Sequence, residues 1–157
     1  MSCALWSGAT FEPFSRFEVE TIFERVAQNA YTVFMAVPTI YVRMISTLET
    51  MSESERQPIL NGFETMRFMV SGSAALPASI HEQWTGLTSQ RLLERYGMTE
   101  IGMALSNPYH GERRAGAVGQ PLPGVQIQLV SESGDIITED KVPGEIQVRG
   151  DAVFLEY

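Results

Sequence analysis

The strongest constraint on this chain is a repeated cadence of short β-rich run, turn, helical spacing and second β-rich run. Residues 31–37 form a short, continuous β-rich run, the pattern of a buried strand. Pro38 stops it, and Thr39 opens a helix whose apolar face is Ile40, Tyr41, Met44, Ile45 and Leu48. Residues 66–70 predict the next strand. It ends in the small-residue loop Ser71-Gly72-Ser73-Ala74-Ala75-Leu76-Pro77, and a helix carrying Ile80, Trp84 and Leu87 follows. Residues 91–95 predict a third strand. Strand–helix–strand order requires parallel strands, because the crossover helix returns the chain to the same end of the sheet. Ligands of such sheets bind beyond the C-terminal ends of the strands.

Two further helices carry their own start signals. Ser15 and Glu18 are spaced as a capping box, which predicts a helix through Val19, Ile22, Phe23 and Val26 to about Asn29. Ser52 and Glu55 repeat that spacing and predict a helix to about Leu60.

From Asn107 the texture changes. Pro108, Gly111, Gly116, Gly119, Pro121, Pro123 and Gly124 punctuate the chain. Val125, Ile127 and Leu129 alternate with glutamines, and Ile146 and Val148 alternate with polar residues, so two half-buried strands are expected. Ser133-Gly134-Asp135 is a turn between them. The expected organisation is an α/β segment over 1–106 and an incomplete β-rich segment over 107–157, the start of a small antiparallel barrel or sheet.

A hydrophobic share of 44% in 157 residues supports a packed core. The net charge of -8 excludes a general nucleic-acid binder, since phosphate contacts need clustered cations. No apolar run approaches a membrane span, and no basic stretch precedes a signal-like core. Cys3 stands alone, so no intrachain disulfide forms; a reducing compartment, cytoplasm or mitochondrial matrix, is compatible. His81 and His110 are not spaced as a metal site, and His81 is expected on a helix surface. The methionines read as core filler, Met98 excepted.

The most informative segment is Tyr96-Gly97-Met98-Thr99-Glu100. Tyr96 offers a flat ring to a base, Gly97 a close backbone approach, Thr99 a hydroxyl donor to phosphate, and Glu100 a hard oxygen ligand for Mg²⁺. Upstream, Gly72-Ser73-Ala74-Ala75 lets a planar base lie against backbone N–H and C=O groups. Taken alone, the first is also an ordinary strand-end turn. The second is also a βα loop with Pro77 in the first helical turn.

Both loops, in this order, resemble the adenine-binding loop and Tyr-Gly-x-Thr-Glu motif of the adenylate-forming (AMP-binding) superfamily. Val37-Pro38-Thr39, Gly116-Ala117-Val118-Gly119-Gln120-Pro121 and Gly144-Glu145-Ile146 agree with further family segments, so the similarity spans nearly the whole chain. Within the superfamily the wording is closest to malonyl-CoA synthetases, notably Pro38-Thr39-Ile40-Tyr41-Val42-Arg43 and Leu93-Glu94-Arg95-Tyr96.

The resemblance implies ATP, Mg²⁺ and coenzyme A as cofactor and co-substrates, with malonate or methylmalonate as the acid. It implies nucleotide binding by Gly72, Ser73, Ala74, Ala75, Glu94, Arg95, Tyr96, Gly97 and Thr99. Thr99 and Glu100 would be catalytic, with Mg²⁺ on Glu100. Arg43 and Met98 would face the acid, a guanidinium being suited to a second carboxylate. Arg43 is also a plain solvated helix arginine by sequence; Arg113 and Arg114 are weaker candidates in a polar loop. The family's upstream phosphate loop, its downstream Tyr-x-Thr-Gly-Asp motif and its lysine-bearing C-terminal domain have no counterpart here. The expectation is therefore a partial, inactive portion of a ligase. A medium-chain or aryl acid ligase and a non-catalytic adenylate-binding remnant are the alternatives.

Overall fold

The computed structural model describes residues 2–156. A short N-terminal helix, α1 (Ser2–Trp6), precedes α2 (Val19–Ala27), and β1 (Val33–Ala36) follows. Two helices come next, α3 (Pro38–Thr50) and α4 (Glu53–Glu64), then β2 (Phe68–Ser71), α5 (Ala78–Thr88) and β3 (Leu93–Met98). The chain turns back as β4 (Gly102–Ser106) and adds β5 (Gln120–Pro121). Three last strands are β6 (Gln126–Val130), β7 (Ile136–Ile137) and β8 (Glu145–Arg149).

The main sheet has the order β1-β2-β3-β4-β5. The first two pairings are parallel, as the crossover rule requires, with Ala36 beside Ser71 and Ser71 beside Glu94. The last two are antiparallel. Helices α2 to α5 share one apolar cluster with this sheet. Val26, Tyr41, Met44, Leu48, Phe63, Met69, Trp84 and Leu92 are fully buried in it. Successive strand residues point to opposite faces, so Phe34 and Ala36 pack against the helices while Met35 stays 53% exposed. On that second face Phe68 meets Tyr109 edge to face at 5.4 Å.

Several local readings need correction. Ser15 and Glu18 form no capping box: the helix starts at Val19, Glu18 sits at its N-cap, and the Thr21 hydroxyl donates to Glu18 instead. The Ser52–Glu55 box does form, with the Ser52 N–H donating to the Glu55 carboxylate at 3.1 Å, but its helix runs on to Glu64. Pro58 lies inside that helix, past its unpaired first turn, and leaves one i→i−4 bond of the ladder unmade. His81 is not on the surface: it is 4% exposed, and its Nε2 lies 3.1 Å from the Leu92 carbonyl oxygen. The third strand extends from Leu93 through Met98, so the first three motif residues belong to it.

The tail's three strands pair antiparallel in the order β7-β6-β8. No helix among the described residues is long and apolar enough to cross a membrane.

Candidate functional site

Parallel pairing puts the ends of β1, β2 and β3 side by side, and each end delivers one segment to a common rim. β1 leads through Val37 into α3. β2 leads into the Gly72–Leu76 loop. β3 carries Arg95, Tyr96, Gly97 and Met98 and then turns at Thr99-Glu100-Ile101.

The small-residue loop lies directly against the motif strand. A Cβ on Gly72 would come within 3.3 Å of Arg95 Cγ, so the backbone rides on the arginine stem. Ser73 has φ +67, a left-handed conformation that costs energy for a residue with a Cβ. Ser73, Ala74 and Ala75 are exposed, and Leu76 is buried and anchors the far end. The Leu76 N–H donates to Glu94 Oε1 at 3.2 Å. Glu94 itself is 3% exposed, behind the loop rather than on its surface.

The motif turn is a strand-to-strand hairpin. Met98 pairs with Gly102 and Gly97 with Met103, with a register shift between Tyr96 and Gly97. A Cβ on Gly97 would drive into the Gly102 carbonyl oxygen, so glycine is required for the strands to approach. The Ile101 N–H donates to the Met98 carbonyl, and Gly102 takes φ +62 to complete the turn. The tail fastens this hairpin from outside, with the Phe154 N–H donating to the Glu100 carbonyl at 2.8 Å. Thr99 and Met98 are exposed; Glu100 is half-buried.

Two guanidinium groups belong to segments of this rim. Arg43 is exposed on α3, and among the described residues its side chain has no hydrogen-bond or ion-pair partner. That helix is pinned by Tyr41, whose hydroxyl donates to the Val70 carbonyl at 2.7 Å. Burial without a cation pushes the Tyr41 phenol far above its ordinary value, so it stays a neutral donor. Arg95 spans the strand ends. Its Nη1 lies 3.5 Å from Met103 Sδ and its Nη2 4.0 Å from Met35 Sδ, with no carboxylate partner among the described residues. Thioether sulfur is a weak acceptor, so the charge remains largely uncompensated.

Arg113 is the opposite case. Its guanidinium donates to the carbonyls of Arg91 (2.6 Å), Tyr109 (3.0 Å) and Pro108 (3.3 Å), and partial burial lowers its proton affinity. It stitches the 107–117 loop to Arg91, in the segment that leads into β3. A cavity of about 660 Å³ lies under that loop, lined by Leu93, Asn107, Tyr109, Arg114 and Leu122 among others; neither the Gly72 loop nor Thr99 and Glu100 lines it.

Sequence reasoning missed Met35 and Met103. Methionines read as core filler in the sequence, yet these two are 53% and 41% exposed beside Arg95. Among the described residues no group of three or more His, Cys, Asp or Glu could hold a metal. Glu100 alone is compatible with Mg²⁺, which is bound by one or two carboxylates plus phosphate oxygens and water.

A profile of the AMP-binding enzyme family matches residues 1–157. The chain belongs to the AMP-binding enzyme family. It is 40% identical over 182 residues to a mitochondrial malonate–CoA ligase of Xenopus laevis, covering 100% of this chain and 32% of that protein. It is 43% identical over 129 residues to a malonate–CoA ligase of Arabidopsis thaliana, covering 82% and 21%. The ATP-bound crystal structure of MatB from Rhodopseudomonas palustris superposes with a TM-score of 0.82 at 35% identity, covering 98% of this chain and 28% of that one. A malonyl-CoA ligase bound to methylmalonyl-CoA and AMP gives 0.81 at 39% identity, covering 96% and 31%. The chain thus spans about a third of the length of the curated relatives it matches most fully.

Proposed function

We propose that this chain is the adenine- and acid-binding portion of an ATP-dependent acid–CoA ligase that acts on malonate or methylmalonate. The observation that carries the reading is the contact between the Gly72 backbone and Arg95, which joins the base-binding loop to the motif strand at one rim. Relatives named as malonate–CoA ligases support the substrate class. The mitochondrial label of several relatives favours a matrix location.

In this reading a carboxylate oxygen of the acid attacks the α-phosphorus of ATP, and pyrophosphate leaves. The CoA thiol then attacks the acyl carbon of the acyl-adenylate, and AMP leaves with the bond to phosphorus intact. Tyr96 and the Gly72–Ala75 backbone hold the adenine, and Met98 flanks the acyl group. Thr99 donates to phosphate. Glu100 holds Mg²⁺, which offsets charge at the phosphates when bound.

A dicarboxylate leaves one carboxylate unreacted, and that group needs a fixed cation. Arg43 supplies it, and the uncompensated Arg95 guanidinium stands ready to share it. The test is a panel of mono- and dicarboxylic acids on the intact ligase, with Arg43→Met. The variant is expected to lose malonate use by about a hundredfold or more, the scale of about 3 kcal/mol for an unpaired charged hydrogen-bonding group, while its affinity for ATP is kept. Unchanged malonate use in the variant removes Arg43 from the account. Preference of the wild type for medium-chain or aryl acids removes malonate.

A further inference from the structure

Glu94 is a buried carboxylate for which the proposed chemistry has no use. It is 3% exposed on the helix-backed face of β3. Its Oε1 accepts the Leu76 N–H at 3.2 Å, while Oε2 is buried without a hydrogen-bond partner. Among the described residues it has no ion-pair partner. Burying a carboxylate without a cation is costly, and a position needing only volume is served better by Leu or Met. What the carboxyl group supplies here is a side-chain acceptor for one main-chain donor, the Leu76 N–H.

The loop needs such an anchor. Ser73 is held in the left-handed region, and Ser73, Ala74 and Ala75 carry little side chain with which to fix themselves. The main-chain carbonyl of Glu94 also accepts the Asn107 N–H at 2.9 Å and its Nδ2 at 3.4 Å. Asn107 Nδ2 donates to the Ala117 carbonyl at 2.6 Å as well. One residue therefore ties the Gly72–Leu76 loop, the motif strand and the 107–117 loop.

We infer that Glu94 is a positioning residue that sets nucleotide affinity by clamping the Gly72–Leu76 backbone, without touching the nucleotide. The inference rests on the ligase reading for its kinetic consequence and on the Leu76–Glu94 bond for its structural one. The test uses the intact ligase with Glu94→Leu and Glu94→Gln, measuring KM for ATP, KM for the acid, kcat and hydrogen exchange at the Leu76 amide.

Glu94→Leu is expected to raise KM for ATP about tenfold while KM for the acid stays within about twofold, and to speed Leu76 exchange. Glu94→Gln keeps an acceptor and is expected to keep the Leu76 amide protected and KM for ATP within about twofold of wild type. A general loss of packing moves both KM values or kcat alone, and that result overturns the inference. So does a Leu76 amide as protected in Glu94→Leu as in wild type. If Glu94→Leu does not fold, Glu94→Met, which also lacks the acceptor, is measured in its place: a selective rise in KM for ATP with faster Leu76 exchange supports the clamp, and no change in either overturns it. A wild type that activates no acid removes the ligase reading, and the amide comparison then tests the clamp by itself.

Discussion

Between α2 and β3 the chain buries Val26, Tyr41, Phe63, Trp84 and Leu92 to zero exposure; from Asn107 onward Val130, at 7%, is the one apolar side chain among the described residues to be buried. The tail is instead held where backbones approach. Gly119 sits on the Ser106 carbonyl, Gly144 lies against Val130 and Ile137, and Gly150 lies 3.0 Å from the Gly124 carbonyl oxygen by its missing Cβ. The helix-backed region is thus specified by side-chain volume, and the tail by the absence of side chains. The first gives rigid strand ends on which loops can be aimed. The second gives a thin sheet that follows the hairpin to which Phe154 ties it.

The comparison can be broken by swapping the means of attachment. The largest effect is expected from Trp84→Ala. Trp84 stacks edge to face with Tyr41 at 5.2 Å and with Phe63 at 5.0 Å, and its removal should cost about 3–5 kcal/mol in urea unfolding followed by circular dichroism. Gly119→Ala comes next. The added Cβ meets backbone at Ser106, and φ +96 excludes a relaxed alanine, so a loss of about 1–3 kcal/mol is expected, with exchange rising in β5 before the helices. A loss confined to the helices would reverse the assignment.

The smallest effect sharpens the contrast within the helical part. Ser52 donates to Glu55 through its hydroxyl and N–H, and both bonds hold the Glu55 carboxyl below its ordinary value. A depressed folded-state value means stability that is present above the unfolded carboxylate range and is lost as pH falls through the folded value. The thermal midpoint of wild type should therefore fall slightly more than that of Ser52→Ala in acid scans. Equal slopes would remove the cap's electrostatic part.

Much of this was legible in sequence. The parallel β1-β2-β3 order followed from strand–helix–strand spacing, and the Ser52 box from its three-residue offset. Long-range pairing was less so. Gly97 does not look like a strand residue, because it lacks the side chain that strand propensity rewards; its role depends on Gly102, five residues on. His81 reads as a surface residue until the Leu92 carbonyl is known to face it. Ser15 and Glu18 show the converse: the right spacing with no helix start between them. At the rim, Arg95 was visible as a cation, but its two sulfur neighbours come from β1 and β4 and no local pattern announces them.

The hairpin at Thr99 and Glu100 has one electrostatic consequence. Strand dipoles largely cancel between antiparallel neighbours, whereas a helix start presents about half a positive elementary charge. The helix start at Ala78 follows the other loop, the one proposed to hold a neutral purine. A polyanion at the hairpin would therefore gain no macrodipole attraction from it, and the part of its binding that rests on mobile cations and arginine side chains would be sensitive to ionic strength.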